Sequence, residues 1–190
     1  MLAARPTEQV VASSGMMRVA VLVPLLARHG HLWVVMVRRP IPVDPGGGLL
    51  GFPGLGREAG GPEPAVTVIA RAAAEIGLDP RHAIVLGRLS EVITPSHSIV
   101  APVVAALPAD FEGSPRGDGV ESVVMFPFAY LASPELVEEQ VVRAGRRRLL
   151  FPVYHYRNHR VAGPTAAIVG DLLDRLSASR EEGEAPRRYS

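Results

Sequence analysis

Two apolar runs, "RVAVLVPLL" from Arg18 and "HLWVVMV" from His31, are separated by little more than "RHGH". Runs of this length, rich in β-branched and aliphatic residues, read as strands, and the turn between them makes them a hairpin. With so few polar positions they are central strands, so the chain is committed to a sheet that other elements must cover. At 190 residues and 47% hydrophobic composition, a single compact domain is expected to bury such a core.

After Arg38 and Arg39, "PIPVDPGGGLLGFPGLGREAGGPEP" is too rich in proline and glycine for any regular element of useful length. Loops this long inside compact domains usually carry function. Pro64 then suits a helix start and Gly77 a left-handed stop, which predicts a helix over Ala65–Ile76. "HAIVLGRLSEV" and "SIVAPVVAAL" read as strands joined through "ITPSH"; "PADFEGSPRGDGVES" reads as a second, mobile loop, and "VVMFPF" as a further strand. "SPELVEEQVV" carries Ser and Pro followed by acids, which predicts another helix start. "LLFPVYHY" returns to strand, and Ile168, Leu172 and Leu176 recur at helical spacing behind Pro164. The result is an α/β domain, a mixed sheet with helices around it.

The ends read differently. Residues 1–17 are expected to form a flexible arm without the pattern of a secretory signal, 18–178 the domain, and 179–190 a disordered tail. No apolar run approaches the roughly 20 residues that cross a bilayer. The formal charge of +1 offers no global attraction to nucleic acid or an anionic membrane, and 5% aromatic content gives little for base stacking. The absence of cysteine excludes disulfides and thiolate metal sites and fits a reducing compartment, so a cytoplasmic location is expected.

The stretch from "GFPGLG" through "ARAAAEIGL" to "SIVAPVVAAL" resembles the Nudix hydrolases, in the branch that includes coenzyme A pyrophosphatases. "VVMVRRP", "VVMFPFAYL" and "LLFPVYHYRNHRVAGPTAAIVGDLL" agree with that branch in the same order, so the resemblance covers roughly residues 18 to 176. It implies a Nudix-like mixed β-sheet sandwiched between helices. It also implies hydrolysis of a diphosphate link in coenzyme A or a nucleoside diphosphate derivative, with Mg²⁺ or Mn²⁺ as cofactor.

The family's box runs from a Gly-Gly loop to a helix reading Arg-Glu-U-x-Glu-Glu-x-Gly-U, U being a bulky aliphatic. Here the second loop glycine is Leu55, the helix arginine is Ala70, the first glutamate is Arg71, and the first of the paired glutamates is Ala74. Only Glu75, Gly77 and Leu78 follow the pattern. Diphosphate hydrolysis at neutral pH needs divalent metal to offset phosphoryl charge and activate water. Positions 71, 74 and 75 share one helix face, where three glutamates would gather around metal. With one acid left, Glu75 is the candidate catalytic residue and metal ligand, and Arg71 is placed to pair with it.

Glu58, Glu63, Glu91, Asp118 and Glu121 are the loop and strand-end acids that could stand in for the missing ligands, each with an alternative as an exposed charge. His97, His155 and His159 form no spaced pair on a predicted helix. Arg38 and Arg39 are candidate ligand-binding residues, because the family places substrate phosphates at this strand end. Arg143, Arg146, Arg147 and Arg148 form the densest positive stretch, which more often marks a solvated turn. "DPGGGLLGFPG" lacks the Lys-Ser/Thr of a P-loop. Two functions follow: a Nudix pyrophosphohydrolase whose activity is weak or lost, or a non-catalytic module that binds coenzyme A, a nucleotide or a partner protein. Neither involves nucleic acid or membrane.

Overall fold

The computed structural model describes residues 6–11, 16–40, 50–57, 64–133, 137–144 and 147–184, and side chains among these except at 57, 142–151 and 179–184. Strands β1 (Met17–Arg28) and β2 (His31–Arg38) form the expected hairpin, closed through His29 at φ 52° and Gly30 at φ 77°. Positive φ at both central residues matches the twist of antiparallel strands. Short strands β3 (Leu50–Gly51) and β4 (Gly56–Arg57) precede helix α1 (Ala65–Ile76). A 3₁₀ turn (Pro80–His82) leads to β5 (Ile84–Arg88), β6 (Val92–Ile93), β7 (Ser98–Ala106) and β8 (Ser122–Pro127). The chain then forms the short helix α2 (Phe128–Leu131), strands β9 (Val137–Ala144), β10 (Arg147–Tyr156) and β11 (His159–Val161), and helix α3 (Gly163–Glu184).

Among the described residues the main sheet runs β3-β2-β1-β7-β5, with β4 on β1, β6 on β7 and β8 on β2; β9, β10 and β11 form a separate antiparallel sheet. β1 and β7 are parallel and the other pairs antiparallel, which makes the sheet mixed. Side chains alternate across β1 and β2. Val21, Val23, Val34 and Met36 meet Ile168 and Leu172 of α3, whereas Ala20, Leu22, Val35 and Val37 lie on the face that α1 covers with Val68, Ala72, Ala73 and Ile76. The sheet is therefore sandwiched between helices. Alanines at 20, 72, 73 and 105, all buried, let α1 lie close to it.

One feature of the pairing positions the site. β2 pairs with β1 only through residues 31–34; beyond that, β3 pairs with Val37 and Arg38, and β4 with Val19 and Ala20. The two central strands fork, and "FPGLG" fills the fork, with the Leu22 amide donating to the Pro53 carbonyl at 2.9 Å. Gly54 sits there at φ +80°, and a Cβ on it would come within 2.9 Å of the Val68 carbonyl and 3.2 Å of the Ala72 nitrogen. Only glycine allows both that backbone conformation and that approach to α1.

Helix α1 has the predicted bounds, and Gly77 ends it at φ 71° with its amide on the Ala73 carbonyl. The segment read as mobile is anchored at that end: Ser114 and Arg116 donate backbone amides to the carbonyls of Ile76 and Glu75, each at 2.9 Å. Free carbonyls at a helix C-terminus need donors, and this loop supplies them.

Two local readings are corrected. The helix predicted from "SPELVEEQVV" is strand β9, paired residue for residue with β10 from Val137↔Tyr154 to Ala144↔Arg147. Ser133 closes α2 through a hydroxyl bond to the Ala129 carbonyl instead of opening a helix. Tertiary pairing of a valine-rich segment outweighs cap and propensity signals worth about 1 kcal/mol. At the C-terminus α3 continues through Glu184, past residue 178, because no proline or β-branched residue intervenes. Residues 6–11 rest on Glu91, whose carboxylate accepts from the Val10 amide and from Arg18, while its own amide donates to the Glu8 carbonyl. Within the other layer, Asp171 accepts from the Ser90 amide at 2.7 Å and from Arg175 at 3.1 Å, tying α3 to the turn after β5. No helix among the described residues is long and apolar enough to cross a membrane.

Candidate functional site

The fork brings the end of β2, the "FPGLG" loop and the last turn of α1 together around Glu75. Its carboxylate accepts from Arg39 Nη2 at 3.0 Å and from the Gly54 amide at 3.1 Å. Arg39 also donates to the Phe52 carbonyl at 3.3 Å and the Gly119 carbonyl at 3.2 Å. One guanidinium thus links β2, the glycine loop, α1 and the loop before β8. Both partners are largely enclosed, with 14% of the Arg39 side chain and 22% of the Glu75 side chain exposed.

Arg71, four residues before Glu75, directs Nε to the Gly54 carbonyl at 3.1 Å and lies over Gly56, where a Cβ would meet the guanidinium. The cation on Glu75 is therefore Arg39, where spacing along the helix pointed to Arg71. Ala74 faces solvent. The helix position that carries a glutamate in the family motif contributes no charge here.

A hard divalent ion takes about six oxygen ligands, and in a site of this kind several of them are anionic. Among the described residues no three His, Asp or Glu side chains converge on one point. Oε2 of Glu75 is taken up by a guanidinium and an amide, and no second described acid joins it, so the described donor set does not fit Mg²⁺ or Mn²⁺. Glu58 and Glu63 lie outside the described residues. Glu91 is taken up by Arg18 and the N-terminal segment. Asp118 and Glu121 flank Gly119 with exposed side chains. His97 occupies the turn before β7, and His155 contacts Glu138 across the β9–β10 hairpin. The side chains of Arg143, Arg146, Arg147 and Arg148 lie outside the described residues.

Arg38 and Arg39 diverge. Arg38 shares the α3 side of β2 with Val34 and Met36 and donates Nη2 to Nδ1 of His159 at 2.7 Å, across to the second sheet. Burial, then Arg38, then Arg157 hold the His159 pKa below its ordinary 6.5, so the ring is the neutral acceptor at pH 7. The sequence offered His159 only as a histidine without a spaced partner, and nothing in it joined the ring to Arg38, which lies 121 residues away and is reached through β11. A separate cavity of about 850 Å³ opens at the other end of β2, between α2 and α3 and beside Tyr130 and Tyr156.

No protein-family model matches the chain. The mouse peroxisomal coenzyme A diphosphatase NUDT7 is 28% identical over 139 residues, a region covering 73% of this chain and 59% of that protein. RenU, a Nudix hydrolase from M. smegmatis, aligns at TM-score 0.53 and 15% identity over 90% of this chain and 89% of its own. The MutT/nudix family protein of Enterococcus faecalis aligns at 0.53 and 11% identity, over 90% of this chain and 65% of that one. At these identities the structures show the fold. The chain has the Nudix fold. In sequence it is similar to that mouse coenzyme A diphosphatase.

Two measurements check this geometry. In a cluster of metal-binding acids, removing one acid relieves repulsion and stabilises the metal-free protein. Here Glu75→Gln removes the counter-charge of Arg39 and is expected to cost about 1.5–3 kcal/mol in urea unfolding with EDTA present; unchanged or higher stability contradicts the pairing. The His159 ring is expected to titrate by NMR below 6.5, and to move upward in Arg38→Gln. The fold resists protonation of this ring, so its contribution to stability is present above about 6.5 and fades as pH falls through the lowered folded pKa.

Proposed function

We propose that this protein is a Nudix-fold relative of the coenzyme A and nucleoside diphosphate pyrophosphohydrolases in which hydrolysis is weak or lost. The cleft is retained for binding coenzyme A or a related nucleotide. The observation that carries the reading is the state of Glu75: the acid expected to hold metal is bonded to Arg39 at 3.0 Å and to the Gly54 amide at 3.1 Å. Arginine at 71 and alanine at 74 support it, since each substitution removes an anionic ligand position, and metal affinity falls with every one lost.

The ligand class follows from the mouse relative, whose name gives coenzyme A as its substrate. This chain spans 59% of that protein, so both activity and ligand are proposals here. Arg38 and Arg39 stay the proposed ligand-facing cations. Arg39 has its donors engaged inside the cleft, and Arg38, on the opposite face of β2, is the stronger partner for a phosphate reaching that side. Binding of this kind needs neither Mg²⁺ nor Mn²⁺. A reducing compartment such as the cytoplasm is the proposed location, supported by a chain of 190 residues without cysteine.

Prolonged incubation of the purified chain with coenzyme A and Mn²⁺ tests the reading. Chromatography is expected to show no 4'-phosphopantetheine or 3',5'-ADP above the level of the Glu75→Gln variant. Clear formation of both products, abolished in that variant, would establish the chain as an active pyrophosphohydrolase and remove the proposal.

A further inference from the structure

Arg38 lies on the face of the sheet away from Glu75, and among the described residues no acid balances its charge. Its contact among the described side chains is the neutral ring of His159, and its Nε is buried without a hydrogen-bond partner. No described carboxylate lies within ion-pair distance of it; Glu121 is adjacent in the sheet, but donates its backbone amide to the Arg38 carbonyl at 2.8 Å and leaves its side chain exposed. A second cation stands beside the same ring: Arg157 helps depress the His159 pKa and lies 5.1 Å from the centre of the Tyr156 ring.

Arg157 adopts φ 54° in the turn between β10 and β11. Glycine would serve that backbone at lower cost, since a left-handed non-glycine residue is disfavoured by roughly 1–3 kcal/mol. A guanidinium with a buried Nε against a part-buried neutral imidazole, with a second, exposed guanidinium acting on the same ring and no described acid between them, favours an anion that joins them. The planar fork of a guanidinium favours phosphate oxygens, and His159 gains a proton more readily once an anion lies against it.

We propose that Arg38, His159 and Arg157 form an anion subsite for a phosphate monoester, on the opposite face of β2 from the Arg39–Glu75 pair. It rests on the nucleotide-binding reading only for the source of that phosphate. The subsite itself stands on Arg38, and it functions whether or not the cleft hydrolyses anything.

The test is an NMR titration of the full chain with inorganic phosphate and, separately, with 5'-AMP, following the His159 ring signals, assigned by their loss in His159→Gln. Both probes are expected to shift those signals saturably and to raise the midpoint of the ring's titration. Arg38→Gln is expected to weaken binding by about tenfold or more, and Arg38→Lys to restore part of it. Arg81→Gln, on the exposed 3₁₀ turn and paired there with Asp79, is expected to leave it unchanged. Tighter binding of 5'-AMP assigns the monoester to a nucleotide, and equal binding assigns recognition to the phosphate alone; both uphold the subsite. Should Arg38→Gln fail to fold, the wild-type titration with His159→Gln, read by calorimetry, decides. Absence of a saturable shift, or equal affinity in a folded Arg38→Gln, overturns it, irrespective of the outcome with coenzyme A.

Discussion

A guanidinium held 3.0 Å from a carboxylate inside a cleft alters what that carboxylate can do. Arg39 reaches Glu75 because β2 ends as the two central strands part, so a residue just past the strand can turn toward α1. The same side chain donates in three directions, to the Phe52 carbonyl, the Gly119 carbonyl and Glu75. Gly54 completes the arrangement with its amide on Glu75 and its carbonyl on Arg71. The Arg39 cation pairs with Glu75 and joins the glycine loop, α1 and the loop before β8.

The alternation of a strand then separates two chemistries. Arg38 and Arg39 are neighbours in sequence, but one faces His159 and the second sheet while the other faces α1. On the α1 side Arg39 is paired with Glu75. On the α3 side Arg38 has no described acid within ion-pair distance, and so is the cation better able to attract an anion. Much of the core serves this division: small residues draw α1 against β1, and larger ones separate α3 from the opposite face.

What the sequence disclosed depended on how local the governing force was. The β1–β2 hairpin and α1 were legible because apolar runs, Pro64 and Gly77 act within a few residues. The sandwich and its family relationship followed from segments spaced along most of the chain. β9 was misread as a helix because its acids and the preceding Ser133–Pro134 are local helix signals, while its pairing with β10 is a tertiary fact. At the site, Glu75 and both arginines were visible as residue types. Their partners were not, since Arg39 meets Glu75 across 36 positions and Arg38 meets His159 across 121. Helical spacing favoured Arg71 as the partner of Glu75, and only the fork in the sheet could show that Arg39 arrives there first.

The most direct test of this account is Mn²⁺ binding followed by electron paramagnetic resonance, on the wild-type chain and on Glu75→Gln. If Arg39 holds Glu75, the free Mn²⁺ signal should fall only at millimolar concentrations, and equally in both proteins. A site filled at micromolar Mn²⁺ in the wild type and lost in Glu75→Gln would mean that metal displaces the guanidinium, and the account of a neutralised cleft would be wrong.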